Sequence, residues 1–426
     1  VLYSYIVYMN TQKVSLKEIL NTSVIVAALG YFVDVYDLVL FLVIGIDSLL
    51  AIKVPEIMKI KEFQYLLNIQ MIGMLLGGLF WGILGDKKGR LSVLFGSILV
   101  YSLANIANGF VIEIANILGA DAMKVYSVLR FVAGFGLAGE LGAGITLVSE
   151  VMSKENRGYG TMLVASIGVT GAVVAALVGN IGWQLAYFIG GGLGLSLLLL
   201  RIGVFESGIF KKIHNHKIEK GNFFALFKNP KITLRYLNCI LIGLPVWFVI
   251  GLLIGRAPEF AKTLHVDGTI DRKICILLCY SGLIFGDMTS GGLSQLLKSR
   301  KKVFYFFYAL CTLFILVYLN LFNNVSTVVF YLLIFALGYS VGFWAVFVTV
   351  ASEQFGTNLR ATVTTTVPNF VRGSLVPISL LFDFINEKYG LLQAGYIVTA
   401  VVMIISVIAL LGLKESFGKE LDYLEE

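Results

Sequence analysis

Two aspartates stand three residues apart inside the apolar run from Gly30 to Gly45, as Asp34-Val-Tyr-Asp37. A charge in lipid costs roughly 2.5–3.5 kcal/mol on insertion scales, so it is tolerated where it does chemistry. Positions i and i+3 share a helix face, so Asp34 and Asp37 point the same way, toward a central cavity. Two neighbouring carboxylates in low dielectric do not both ionise readily. One of them therefore retains a proton, which is what a proton carrier needs, and either residue could be that carrier. A plainer alternative is that one of them hydrogen-bonds a neighbouring helix.

Other ionisable residues fall in apolar runs. Arg130 could pair with Asp34 or Asp37 when they are ionised and release them when they are protonated. Glu140 is a second proton site or a partner of Arg130, but ten residues of helix, about 15 Å, argue against direct pairing. In the second half of the chain stand Arg256, Asp287 and Arg372. The planar fork of Arg372 matches a carboxylate in two parallel hydrogen bonds, which makes it the expected anchor of an acidic substrate. Its alternative is an ion pair with Asp287. Arg256 and Asp287 are further candidates for substrate binding, Arg256 being otherwise a rim partner of Glu259. Trp247, Phe248, Phe343 and Trp344 could line a cavity, although aromatics in such chains mostly pack. The four cysteines sit in apolar runs and the three histidines in loops or at a helix end, so no metal site and no cofactor is expected.

The elements that position these residues follow from composition. Only 14% of the 426 residues are charged and 58% are hydrophobic, against about 25% charged in a soluble domain. Apolar runs long enough to cross a bilayer core of roughly 30 Å recur along the chain. They predict an all-α integral membrane protein of twelve transmembrane helices, near 20–46, 64–84, 91–112, 124–149, 159–180, 183–203, 234–257, 273–297, 303–323, 327–352, 362–384 and 391–413. Lys and Arg crowd the loops on one side: Lys13, Lys17, Lys87, Lys88, Arg90, Lys154, Arg157, Arg360, Lys414 and the linker. The positive-inside rule then puts both termini in the cytoplasm. It also accounts for the net charge of +7 without a nucleic-acid partner. The linker charges face lipid head groups. The expected division is a bundle over 1–205, a basic cytoplasmic linker over 206–232, a second bundle over 233–413 and a cytoplasmic tail over 414–426.

The chain repeats itself. Glu150 and Arg157, with six residues between them, follow the fourth predicted helix; Glu353 and Arg360, spaced alike, follow the tenth. Gly82-Ile-Leu-Gly-Asp86-Lys87-Lys-Gly89-Arg90 follows the second helix, and a decayed counterpart over 291–299 follows the eighth, with Gln295 in place of the acid. Two six-helix bundles in parallel repeat are the architecture of the major facilitator class. The GxxxDKxGR block resembles the signature loop of that superfamily. Arg130-Phe-Val-Ala-Gly-Phe-Gly-Leu-Ala-Gly-Glu140 and Asp34-Val-Tyr-Asp37 are similar to the fourth- and first-helix motifs of its metabolite:proton and aromatic-acid:proton symporters, with Val35 replacing a glycine. The resemblance implies a coupling role for Arg130. It also implies a cytoplasmic gate built from Gly82, Asp86, Lys87, Gly89, Arg90, Glu150 and Arg157, with Glu353 and Arg360 doing the same in the second half.

Together these readings predict a secondary transporter of the inner membrane, monomeric, using protons to take up a small organic anion by alternating access. No GxxxxGK[ST] motif is present to bind ATP, so an ion gradient is the expected driving force. A neutral or zwitterionic solute (a sugar, amino acid or siderophore) and export are the alternatives. An integral membrane enzyme would need a nucleophile or metal cluster at one depth, and the sequence offers none.

Overall fold

A computed structural model describes residues 22–88, 90–140, 142, 157–206, 223–321, 325–419 and 425. The first half contains α1 (Thr22–Ala51), α2 (Lys59–Lys88), α3 (Arg90–Gly109), α4 (Val111–Leu118), α5 (Ala122–Leu137), α6 (Arg157–Val178) and α7 (Trp183–Glu206). The second half contains α8 (Pro230–Leu241), α9 (Leu244–Phe248), a π turn (Val249–Ile254), α10 (Ala257–Thr263), α11 (Arg272–Leu296), α12 (Arg300–Leu319), α13 (Thr327–Ser340), α14 (Trp344–Glu353), α15 (Thr357–Gly373), α16 (Leu375–Tyr389) and α17 (Leu391–Gly412). No strand occurs among the described residues. Nine helical stretches there are long and apolar enough to cross a membrane, and α3 with α4, bent by 79°, would make a tenth if the two form one span. Of the other expected runs, the one over 124–149 is described only as far as 142, and the one over 362–384 is broken at Ser374.

Local chemistry starts the helices. Asp121, Asp271, Ser299 and Ser326 each accept from a backbone N–H in the first turn of α5, α11, α12 and α13, the usual way of satisfying a donor the helix cannot. Asn229 with Pro230 opens α8 in the same manner. The halves repeat in packing as well as in sequence. Gly73 and Gly77 let α2 press onto the backbone of Phe131 and Phe135 of α5, where a Cβ would collide. Gly282 and Gly286 let α11 press likewise onto Phe335 and Tyr339 of α13. Small residues allowing close backbone approach are how helices associate without a hydrophobic drive between them. Across the halves, α2 packs on α15 and α6 on α11.

Candidate functional site

At the centre, α1 carries Asp34 and Asp37, which are 0% and 1% exposed. None of their four carboxylate oxygens accepts a hydrogen bond from the described residues. Three residues of helix separate two side chains by about 60° around the axis, and here that angle decides their neighbours. Asp34 faces the other half, where Arg372 Nη2 of α15 stands 3.6 Å from its Oδ2. Asp37 faces Gly190 of α7 within its own half, where a Cβ would collide with its carboxylate. The two aspartates share a depth but not a partner.

Arg372 is fully buried and held from three sides. Its Nη1 donates to Asn369 Oδ1 at 3.4 Å, its guanidinium lies over the ring of Trp344 at 5.8 Å, and Asp34 closes the third side. Asn369 joins the halves itself: its Nδ2 donates to Ala138 O at 2.8 Å. That carbonyl lies just past the end of α5, beyond the helix ladder.

Arg130 is not bonded to a carboxylate among the described residues. Nη2 donates to Gln70 Oε1 of α2 and Nη1 to Tyr187 OH of α7 at 3.4 Å. The guanidinium lies over Phe41 at 4.7 Å. Tyr187 OH meets Tyr126 OH at 2.7 Å, and Tyr126 OH meets Ser48 Oγ at 2.8 Å. Ser48 Oγ donates to Gly45 O, back on α1. This fixes Arg130 to the helix that bears the aspartates without touching them.

Several expected partners change. Glu140 pairs neither with Arg130 nor with an open cavity. Both its oxygens accept from Arg201 of α7, Nη1 to Oε2 at 2.9 Å and Nη2 to Oε1. Both groups are buried, and the ten-residue offset from Arg130 is the reason the partner comes from another helix. Asp287 makes no ion pair with Arg372 among the described residues; its Oδ1 accepts from the backbone N–H of Ala345 at 3.0 Å. Arg256 does not converge on Arg372. It pairs with Asp383 of α16 at 2.7 Å, roughly 16 Å further along that span. Glu259 pairs with Arg272 at 3.2 Å rather than with Arg256.

At the end of the bundle that carries the linker, Gly82 of α2 faces the methyl carbons of Thr366 and Thr365 of α15. Asp86 and Lys87 lie in the last turn of α2, Arg90 opens α3 and Arg157 opens α6. Gly89 and Glu150 lie outside the described residues. In the second half Glu353 is bound by Arg300, not by Arg360. Arg300 Nη2 meets its Oε1 at 2.9 Å and Nε its Oε2 at 3.2 Å, and Ser416 Oγ adds a bond at 2.8 Å. Arg360 Nη2 donates to Phe355 O at 3.4 Å. Arg300 opens α12 as Arg90 opens α3, a parallel that becomes visible once the helix boundaries are known. Next to it, Glu415 accepts from the backbone N–H of Arg300 at 2.9 Å and of Phe417 at 3.1 Å. Burial alone would raise its carboxyl, but Ser299 Oγ and these N–H groups outweigh it and hold it below the ordinary value.

At the opposite end Lys273 of α11 reaches Asp47 of α1 at 2.7 Å, and Asn68 of α2 donates to Ser379 of α16 at 3.2 Å. Toward the linker end Thr161 and Thr349 hydroxyls meet across the halves at 3.2 Å. The halves thus touch on both sides of Asp34 and Arg372, which are shut off from either face. Among the described residues no three His, Cys, Asp or Glu side chains gather as they would around a metal.

A bundle of paired halves with a buried charge pair at their interface defines a membrane transporter fold. The family model described as Major Facilitator Superfamily matches residues 20–379, and the chain belongs to that family. A putative niacin/nicotinamide transporter of Bacillus subtilis is 29% identical over 48% of this chain and 48% of its own length. The niacin transporter of Acinetobacter baylyi is 37% identical over 30% of this chain and 29% of its own. The chain therefore spans half or less of these two relatives. A proline/betaine transporter of Salmonella typhimurium is 26% identical over 81% of this chain and 73% of its own, and a benzoate transport protein of Acinetobacter baylyi is 28% identical over 47% and 42%. Among solved structures the transporter FucP superposes with a TM-score of 0.71 at 13% identity, covering 93% of this chain and all of FucP. The proton:xylose symporter XylE gives 0.69 at 14% identity, covering 94% and 97%. These likenesses show the fold. The family and the structural neighbours are transporters, not enzymes.

Proposed function

We propose that the protein couples uptake of a small organic carboxylate to protons through a change of partner at Arg372. The observation that carries this is the 3.6 Å approach of Asp34 and Arg372 between the halves. When Asp34 takes a proton, Arg372 is freed to grip a substrate carboxylate with both arms of its fork. The empty carrier (Asp34 ionised against Arg372) and the fully loaded one (Asp34 protonated, anion on Arg372) are both charge-balanced. Half-loaded states leave a buried charge unpaired, which is costly. Only balanced states can rock between faces, so proton and anion move together. Asp37 is the second proton-accepting group, and Arg130, held by Gln70 and Tyr187, biases the pair from behind. Glu140 we assign to structure and Arg256 to the rim.

The niacin and benzoate relatives support an aromatic carboxylate, and the face of Trp344 beside Arg372 suits one. The proline/betaine relative, which aligns over most of the chain, favours a second reading. There the substrate is a zwitterion whose carboxylate uses Arg372 and whose ammonium uses an aromatic face. The Lys and Arg bias supports a cytoplasmic linker, two cytoplasmic termini and an inner-membrane location. Gly82, Asp86, Lys87, Gly89, Arg90, Glu150 and Arg157 form the cytoplasmic latch in this reading. Arg300, Glu353 and Ser416 form the latch of the second half, Arg360 lies beside it, and the unit is a monomer.

The test is uptake in proteoliposomes of niacin, benzoate, proline and betaine under an imposed pH gradient, with Asp34→Asn and Asp37→Asn in parallel. Accumulation of an acid that needs the gradient and is lost in Asp34→Asn supports the partner exchange. Accumulation without the gradient, or an unaffected Asp34→Asn, rejects it.

A further inference from the structure

We infer that Asp287 is a positioning residue: its carboxylate caps the buried, otherwise unserved N-terminus of α14 and so holds Trp344 over Arg372. The tenth span is broken. α13 ends at Ser340 and α14 restarts at Trp344, with tight-turn bonds from Gly342 N to Tyr339 O at 3.0 Å and from Phe343 N to Val341 O at 2.9 Å between them. The first regular bond of α14 runs from Phe347 N to Phe343 O. The N–H groups before it have no acceptor within the helix. In water a cap side chain or solvent would serve them, but the residue at the cap position is Phe343, with no side-chain acceptor. In the membrane interior an unserved donor is expensive.

The missing acceptor comes from the neighbouring span. Asp287 of α11 is fully buried, and its Oδ1 takes Ala345 N–H at 3.0 Å. The approach depends on Gly286 and Gly342, whose backbones touch where any Cβ would collide. A carboxylate at a helix N-terminus also meets the positive end of the helix dipole, so it needs no arginine partner there. Trp344 is the first residue of α14. Its ring packs on Phe347 at 4.8 Å and lies over the Arg372 guanidinium. Loosening the cap therefore moves one wall of the anion site, although Asp287 itself touches no substrate.

Asparagine separates this role from chemistry. Its side-chain oxygen still caps, but it carries neither charge nor proton. The inference rests on the carboxylate site at Arg372 for its kinetic readout alone. Asp287→Asn and Asp287→Ala are purified and compared by thermal unfolding in detergent and by niacin and benzoate uptake in proteoliposomes. Asp287→Asn is expected to stay within about twofold of wild type in KM, whereas Asp287→Ala raises KM about tenfold and melts several degrees lower. In a Trp344→Ala background the KM penalty of Asp287→Ala shrinks to about twofold or less, because both changes disturb the same contact. Loss of gradient-driven uptake in Asp287→Asn as complete as in Asp287→Ala overturns the cap and makes Asp287 a charge carrier. So does a full-sized KM penalty in the Trp344→Ala background. If wild type takes up neither acid, the substrate reading fails, but melting still decides the cap: Asp287→Asn as unstable as Asp287→Ala rejects it. Should Asp287→Ala not fold, the behaviour of Asp287→Asn decides alone.

Discussion

Two buried arginine–carboxylate contacts lie in the same bundle and are built differently. Glu140 and Arg201 belong to one half, and both carboxylate oxygens are taken by the fork of the arginine. Asp34 and Arg372 belong to different halves, meet at one edge 3.6 Å apart, and leave the carboxylate without a hydrogen bond among the described residues. A buried ion pair recovers its desolvation cost only when the geometry is good and the spare lone pairs are filled. The first pair comes closer to that condition, with both carboxylate oxygens bonded even though Arg201 Nε finds no partner among the described residues, and the second is far from it. On the partner exchange proposed above, the difference would separate a fastener from a switch, with the contact that is poorer as structure being the one that changes partners.

The contrast breaks if the two pairs respond alike. Glu140→Ala should leave Arg201 charged and unpaired in the interior and cost about 3–5 kcal/mol, read as loss of monodisperse protein in detergent. Replacing both partners, as Glu140→Gln with Arg201→Met, should recover most of the folded yield. Asp34→Asn should cost at most about 1 kcal/mol in thermal unfolding, since few bonds are lost. An Asp34→Asn protein as unstable as Glu140→Ala would remove the distinction. The next effect is functional. Arg372→Lys keeps the charge and loses the fork, so the KM for niacin or benzoate should rise about ten- to hundredfold, the range expected for one charged hydrogen bond. A neutral solute carried by the same protein should be unaffected. Asn369→Ala, which removes the bond to Ala138 O and an acceptor of Arg372, should change KM about fivefold, as for one neutral hydrogen bond.

The smallest effect lies outside the membrane. Glu415 is held below its ordinary carboxyl value in the folded protein. Its stabilisation is therefore present above the unfolded value of about 4.3 and fades as pH falls through the lower folded value. Glu415→Gln should melt slightly below wild type at pH 7, and the gap should close in strongly acidic buffer. A gap that widens on acidification would reverse the sign of the argument.

Much of this was legible beforehand. The all-α bundle follows from the recurring apolar runs, and the burial of Asp34, Asp37, Arg130, Glu140 and Arg372 follows from charges set inside them. Arg201 and Arg300 were visible as charges but not as partners, being an end-of-helix residue and a loop residue by pattern. Gln70, Tyr187 and Asn369 carried no signal at all, since uncharged polar residues cost little in a hydropathy sum.

The sequence alone determined that the chain spans a membrane and where its interior charges lie, because period, length and desolvation are local properties of the chain. Only the tertiary structure decided who meets whom. Helix rotation turned Asp34 to the far half and Asp37 to the near one, and the break before Trp344 created a donor that Asp287 answers. The packing of α7 brought Arg201 to Glu140. Each of these contacts joins residues distant in sequence across angles that no spacing rule contains.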